Sequence, residues 1–367
     1  MPRAEIKSRV LKVAIIGCGK IADSHAAQVQ RVKDCEIVGV CDREELLAQQ
    51  LADRFRVNRW FTDAARLLDE CCPDVVHVAT PPQSHCSLGK QCLDAGCHVY
   101  IEKPFTIDTA EADELIAFAT AKGRLLTAGH NAQFTPAARR MRQLIHDGYL
   151  GGEPVHMEST WCYDLGDQNY AKAVLGDKQH WLRRMPGKLL QNIISHGVAR
   201  IAEFLSSDSP EVTVRGFVSP MLKRIGEHEI TDELRAIIVD RDRTAYFTFS
   251  SQMRPSQHDF RIFGPRNGLV LDDDQQTVIK LSGSRHKSYA EHFIPPLSMA
   301  KQYAANWWHN AGLFLRNDFH HDSSKKHFFE LFYDAIRGNL PPPLPYREIR
   351  LTSWIMDEIF RKLGQPS

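Results

Sequence analysis

No run of roughly 18 consecutive apolar residues occurs in this 367-residue sequence, so a helical membrane span is excluded. Charge of one sign is equally lacking. The 46 basic and 45 acidic side chains leave a formal +1, too little to draw the chain to nucleic acid or an anionic membrane, and neither is expected as a partner. The nine cysteines include no Cys-x-x-Cys pair, and neither Cys71-Cys72 nor Cys97-His98 has zinc spacing, so no metal site is expected. Their odd number, with eight before residue 98, also argues against a disulfide framework, and most read as small buried hydrophobes. Internal repeats and long low-complexity tracts are absent. The opening Met-Pro-Arg-Ala-Glu-Ile-Lys-Ser-Arg lacks the apolar core of a secretory leader, which makes a cytoplasmic location the expectation.

What is present begins with Val13-Ala14-Ile15-Ile16-Gly17-Cys18-Gly19-Lys20-Ile21-Ala22. An apolar run ends at Gly17, a second glycine follows at Gly19, Ala22 takes the third small position, and Asp42 closes a strand-helix-strand unit about 20 residues on. Gly17 permits a tight turn, Gly19 lets backbone amides approach a pyrophosphate, and Ala22 keeps the helix close to the sheet. The amides and positive end of that helix then suit phosphate charge. This is the pattern of a nicotinamide-dinucleotide grip. A glycine turn in an α/β domain that binds nothing is the alternative. Asp42 should accept hydrogen bonds from the adenosine ribose and repel a 2′-phosphate, whereas Arg43 could welcome one, so NAD(H) is favoured and NADP(H) stays possible.

With 43% hydrophobic residues the chain can fill two cores. Residues 1–130 alternate β-rich and helical patterns, with strands expected near 12–17, 36–42, 74–79, 98–102 and 125–129, and an Asp108 cap on the last helix. This describes an α/β doubly wound parallel sheet of Rossmann type. Residues 131–367 are β-rich after the helix at 136–146, with seven strand patterns between 153 and 282. Short turns at 240–243 and 265–268 suit antiparallel neighbours. The second domain is therefore expected to be α+β, with a large open, mostly antiparallel sheet. Helices cover one of its faces, a partner subunit the other, and the final helices at 325–337 and 346–363 could pack back on the first domain. His320 and His321 read as a solvated pair at a helix end.

Ligands of such sheets sit beyond the carboxyl ends of the strands, which singles out three loops: 17–22, 80–85 and 102–104. Lys103 follows the apolar strand Val99-Tyr100-Ile101 and could stabilise negative charge on a substrate hydroxyl; an ordinary solvated lysine paired with Glu102 is the alternative. Asn192 and His196 lie four apart and share a face if the segment is helical, with His196 a natural base, although a histidine near a helix start is more often structural. Asp23, His25, His85 and His130 read as structural or cofactor-contacting. Trp307 and Trp308 could stack on a sugar, but such aromatics more often pack a helix against a sheet or a subunit.

Taken together, Gly17 to Ala22, Ala79-Thr80-Pro81-Pro82-Gln83-Ser84-His85, Glu102-Lys103-Pro104 and the segment 181–196 resemble the Gfo/Idh/MocA family of glucose-fructose oxidoreductase and inositol dehydrogenase relatives. The resemblance implies NAD(H) or NADP(H) and reversible oxidation at a hydroxyl-bearing carbon of a sugar, inositol or related carbohydrate. It implies acid/base roles for Lys103 and His196, with Asn192 beside them. The cofactor contacts expected are Gly17, Cys18, Gly19, Lys20, Ile21, Asp42, Arg43, Thr80, Pro81, Pro82, His85, Glu102, Lys103 and Asn131. A homodimer or homotetramer through the second sheet is expected. The family usually has aspartates four before and three after the histidine, where this chain has Asn192 and Ala199, and an amide cannot take a proton as a carboxylate does. That departure motivates a second reading, a redox-neutral glycosidase or epimerase using transient oxidation, and a non-catalytic dinucleotide- and sugar-binding regulator is a third.

Overall fold

β1 (Leu11–Ile16) is buried at every position but Lys12, as a strand covered on both faces must be. The computed structural model describes residues 9–165, 175–283, 286–316, 318–319 and 322–364, so the His320-His321 pair lies outside the described residues. The chain separates into two compact units, Met1–Asn131 with Asp322–Ser353, and Ala132–His321 with Trp354–Ser367. In the first, β1 joins β2 (Cys35–Cys41), β3 (Trp60–Phe61), β4 (Val75–Val78), β5 (His98–Ile101) and β6 (Leu126–Ala128) in the order β3-β2-β1-β4-β5-β6. All five pairings are parallel. The order reverses between β1 and β4, which is where such sheets open a crevice.

Helices Lys20–Val29, Glu45–Phe55, Ala64–Cys71, His85–Asp94 and Thr109–Ala121 cross between these strands. Ala22, Ala26, Ala48 and Ala52 sit in the core beside Ile15 and Val40, and their small side chains let two helices lie close to the sheet. Asp108 caps the last helix as expected, accepting the Glu111 N–H at 2.9 Å, and Asp63 caps Ala64–Cys71 through Arg66 N–H in the same way. The edge strand β3 was not expected, because two residues carry no readable alternation.

The second unit opens with helix Pro136–His146, capped by Thr135, and then builds one seven-stranded sheet. Its strands are β7 (His156–Trp161), β8 (Glu211–Phe217), β9 (Glu233–Asp240), β10 (Arg243–Ser250), β11 (His258–Phe263), β12 (Asn267–Asp272) and β13 (Thr277–Ser282), in the order β13-β12-β11-β7-β10-β9-β8. β7 and β10 run parallel at the centre and every other pair is antiparallel, so the sheet is mixed. On β9, buried Leu234, Ala236 and Ile238 alternate with exposed Arg235, Ile237 and Val239, leaving one face open.

Helix Ala290–Leu315 contains Pro295 and Pro296 and buries one residue, Asn306. Its amide exchanges two hydrogen bonds with Val278 of the edge strand β13, at 2.9 and 3.0 Å. The sheet edge is thereby covered. Trp307 and Trp308 are 61% and 70% exposed, so neither packs this helix against its own sheet. Chain 322–353 returns to the first unit, where helix Ser323–Gly338 buries Phe328, Phe329, Phe332 and Tyr333. Helix Tyr346–Leu363 starts in the first unit, with the Tyr346 hydroxyl accepting the Leu126 N–H at 3.1 Å, and finishes in the second. No described helix is long and apolar enough to cross a membrane.

Two short helices of the second unit, Lys188–Ile193 and Ser195–Ala202, carry Asn192 and His196. Gly197 lets the latter lie on the sheet. A Cβ there would come within 2.6 Å of the Phe247 ring, 2.9 Å of Trp161 Cβ and 3.2 Å of Ser159 Oγ. Gly197→Ala should therefore cost about 1–3 kcal/mol, the usual penalty of overpacking, and displace the His196 turn. Urea unfolding measures the first; an unchanged midpoint would contradict the contact.

Candidate active site

At the carboxyl end of β1 the chain turns at Gly17, whose φ of +95° suits glycine. A Cβ there would lie 2.7 Å from the carbonyl carbon and oxygen of Ala79 and 2.8 Å from the Thr80 nitrogen, so this turn rests on the end of β4. Gly19 caps helix Lys20–Val29 without a side-chain bond, and a Cβ on it would meet nothing within 4 Å. Space thus lies open over the helix start, where the Lys20 and Ile21 amides precede the first helical bond, Ala22 N–H to Gly19 O at 2.9 Å. Amides and dipole together make an anion cradle. Lys20 and Ile21 are exposed beside it, while Cys18 is buried.

Asp42 follows β2, and its carboxylate accepts the Cys18 N–H at 2.7 Å and the Glu44 N–H at 3.0 Å. Together with Arg43, Gly17, Gly19, Thr80 and Pro81 it lines a cleft of about 760 Å³. Small-molecule sites span roughly 300–1,000 Å³. An acceptor at one end and a cradle an added Cβ would fill at the other are the donor set a dinucleotide needs, so the residues present fit that cofactor.

His85 ties the two remaining loops together. Its buried ring places Nε2 at 2.7 Å from Thr80 O, and Nδ1 at 3.0 and 3.1 Å from Pro104 O and Phe105 O. Burial lowers its pKa, against the opposing effect of those carbonyls. Both nitrogens face the main chain, so its influence on a ligand passes through the shape of Thr80-Pro81. Pro82 is buried too and opens the short 3-10 turn Pro82–Ser84. The Lys103–Pro104 peptide is cis.

Glu102 ends β5 almost fully buried, its Oε2 accepting the Lys103 N–H at 3.1 Å and its Oε1 facing His25 Nε2 at 2.8 Å. Burial alone would raise its pKa; the His25 hydrogen bond, then Lys325, the charge of His25 and Lys103, hold it well below the usual carboxylate range. Lys103 itself is lowered by burial, with Lys325 adding and Glu102 opposing. His130 lies close by and is pushed down to about 4, chiefly by burial. Asn131 donates to Ser324 Oγ at 3.0 Å, and Asp23 pairs with Arg54 at 2.7 Å on the surface.

Sequence reasoning missed the contribution of residues 322–325. Lys325 is 3% exposed and donates to Ser24 Oγ at 2.9 Å, and Ser24 donates to Asp322 at 2.6 Å. A lysine inside the apolar spacing of its helix was the available signal. In the second unit Asn192 and His196 are half-buried among fully buried neighbours, one turn apart, with the helix interrupted at Ile194. The His196 ring lies 5.5 Å from that of Trp161. Gly187 is packed face-on by Phe360, whose ring a Cβ would overlap. Among the described residues no group of three His, Cys, Asp or Glu could hold a metal ion.

Residues 11–130 match the sequence model of Gfo/Idh/MocA, described as an oxidoreductase family with an NAD-binding Rossmann fold. Over these residues the first unit is similar to that family. D-glucoside 3-dehydrogenase of Escherichia coli (strain K12) is 33% identical over 150 residues, which are 41% of this chain and only 43% of that protein. Myo-inositol 2-dehydrogenase of Thermotoga maritima is 23% identical over 84% of this chain and 88% of its own length. The WlbA dehydrogenase of Bordetella pertussis, solved with NADH and UDP-GlcNAcA, superposes with a TM-score of 0.77 over 99% of this chain and 97% of its own, at 16% identity, a likeness of fold.

The buried histidines make stability depend on pH. His25, His77, His85 and His130 have pKa values lowered by burial, below the ordinary 6.5 of the unfolded chain. Above pH 6.5 neither state holds these protons; below it the unfolded chain takes them up and the folded chain does not. Stability should fall as pH drops below 6.5, by up to about 1.4 kcal/mol per pH unit for each histidine. Urea midpoints that stay flat from pH 7 to 5 would contradict it.

Proposed function

We propose that this chain is an NAD(H)-dependent dehydrogenase acting reversibly at a hydroxyl-bearing carbon of a sugar, inositol or related carbohydrate. The observation that carries the reading is the Glu102-anchored Lys103 at the carboxyl end of β5, on the sheet edge that also holds the anion cradle of Gly17 and Gly19. When bound, the nicotinamide supplies the hydride acceptor or donor. The Lys103 ammonium hydrogen-bonds the reacting hydroxyl and steadies the negative charge that develops there, while His196 takes the proton. Asn192 orients a hydroxyl and leaves the proton to its neighbour. Names of relatives that oxidise glucosides and inositol support the substrate class. Exposed Ile237, Val239 and Tyr246 on the open sheet face support a homodimer or homotetramer, and nine free cysteines suit a cytoplasmic location.

A sugar and polyol panel followed by absorbance of reduced cofactor, with native mass spectrometry for retained nucleotide, tests the activity. On the substrate so found, Lys103→Ala should lower kcat by about 10²- to 10⁴-fold with cofactor still bound. Full turnover by that variant would end the assignment. Asn192 in place of a carboxylate also favours a second reading, transient oxidation without net release of reduced cofactor, and the same panel separates the two by product and absorbance.

Asp42 sets the cofactor preference, since a carboxylate held by two amides cannot turn away from a 2′-phosphate. Isothermal titration should show tighter binding of NAD+ than of NADP+. Asp42→Ala should weaken the first and improve the second, narrowing the ratio about tenfold or more. An unchanged ratio would remove Asp42 from cofactor selection.

A further inference from the structure

Behind Glu102 runs a line of buried polar groups that the proposed reaction does not touch. The Tyr333 hydroxyl lies 2.8 Å from His77 Nε2, His77 Nδ1 lies 2.9 Å from His25 Nδ1, and His25 Nε2 lies 2.8 Å from Glu102 Oε1. Tyr333, His77 and His25 are all fully buried. Aromatic rings enclose the pair: Tyr100 stacks on His77 at 4.9 Å, and Phe329 meets His77 edge-on at 4.6 Å and His25 at 5.5 Å. Apolar side chains would fill such a space without the cost of desolvating two imidazoles.

We propose that Tyr333, His77 and His25 are positioning residues, a one-way chain of hydrogen bonds that fixes the ionised Glu102 carboxylate and so holds Lys103 in place and in charge for the reaction. The direction follows from donor and acceptor chemistry. An ionised carboxylate only accepts, so His25 Nε2 carries the proton; the neutral ring then offers its Nδ1 lone pair, so His77 Nδ1 donates, and His77 Nε2 accepts from the Tyr333 hydroxyl. Reversing any one bond sets two lone pairs against each other unless all reverse, and then Glu102 must be protonated.

The other charged and titratable groups around this line are Lys325 and Asp322 on the helix side, Lys103 and His130 on the ligand side, and Tyr100 beneath the rings. Cys35 and Arg337 face Tyr333. Glu102 is the group that opposes burial and Lys325 in keeping the proton on Lys103. Loosening the chain leaves Glu102 ionised but lets its carboxylate shift away from Lys103, so its charge opposes burial less and Lys103 loses its proton at lower pH.

The inference rests on the role proposed for Lys103, and two readouts separate the two. Nitrogen-15 spectra of histidine-labelled protein at neutral pH should show His25 protonated at Nε2 alone and His77 at Nδ1 alone; the opposite tautomers, or an imidazolium at either site, would overturn the chain whatever the enzyme does. On the identified substrate, Tyr333→Phe should leave KM nearly unchanged and move the alkaline limb of kcat/KM down by about half to one pH unit, the loss of one hydrogen bond. Phe328→Leu, which alters the same aromatic cluster without touching the chain, should lower stability and leave that limb in place. A limb unmoved by Tyr333→Phe, or moved equally by Phe328→Leu, would reduce these residues to packing.

Discussion

The first unit depends on one close approach, the backbone of Gly17 against that of Ala79 and Thr80, with no room for a side chain between them. Because the turn after β1 is seated on the end of β4, the helix that begins at Lys20 is aimed across the sheet's opening. The Thr80-Pro81 loop becomes the opposite wall of the same cleft. His85 extends this arrangement to the next strand, because its buried ring lies between main-chain carbonyls of both loops. The side chains left facing the cleft can then serve a ligand.

Burial of charge is the second theme. Lys325 shares one small region with Glu102, Lys103, His25 and His130, and the last four are each displaced from their ordinary protonation behaviour. Alone, each of these groups would be costly in a protein interior; together their charges and hydrogen bonds compensate one another, which links local chemistry to the stability of the fold. Such a cluster is stiff, because moving one member leaves the others unpartnered. Stiffness at the foot of Lys103 suits the substrate contact proposed for it, which requires one orientation.

Much of this was legible in the sequence. The glycines, Asp42 and the alternation of strands and helices named the nucleotide fold, since each depends on contacts within about 30 residues. Asp108 as a cap and the antiparallel hairpin at 240–243 were readable for the same reason. What stayed hidden is long-range. His77 stands out as a polar residue in Val75-Val76-His77-Val78, yet its partner Tyr333 lies 256 positions away, and nothing local names it. The parallel pairing of β7 with β10 is hidden likewise, because register across a sheet is chosen by strands that are distant in the chain. The exposed Trp307 and Trp308 do not pack their helix against its own sheet; an amide, Asn306, holds it to the edge strand, and no local signal marks that contact.

The return of residues 322–353 to the first unit has a consequence for how the protein is made. Lys325, Phe329 and Tyr333 complete the interior around His25 and His77, yet they leave the ribosome after the whole second sheet has been synthesised. Until then the nascent nucleotide-binding half carries an unsealed aromatic and polar cavity, and its closure is among the last events of synthesis. A fragment ending near residue 131 would keep the loops at 17–22, 80–85 and 102–104 and still lack the side chains that fill its interior.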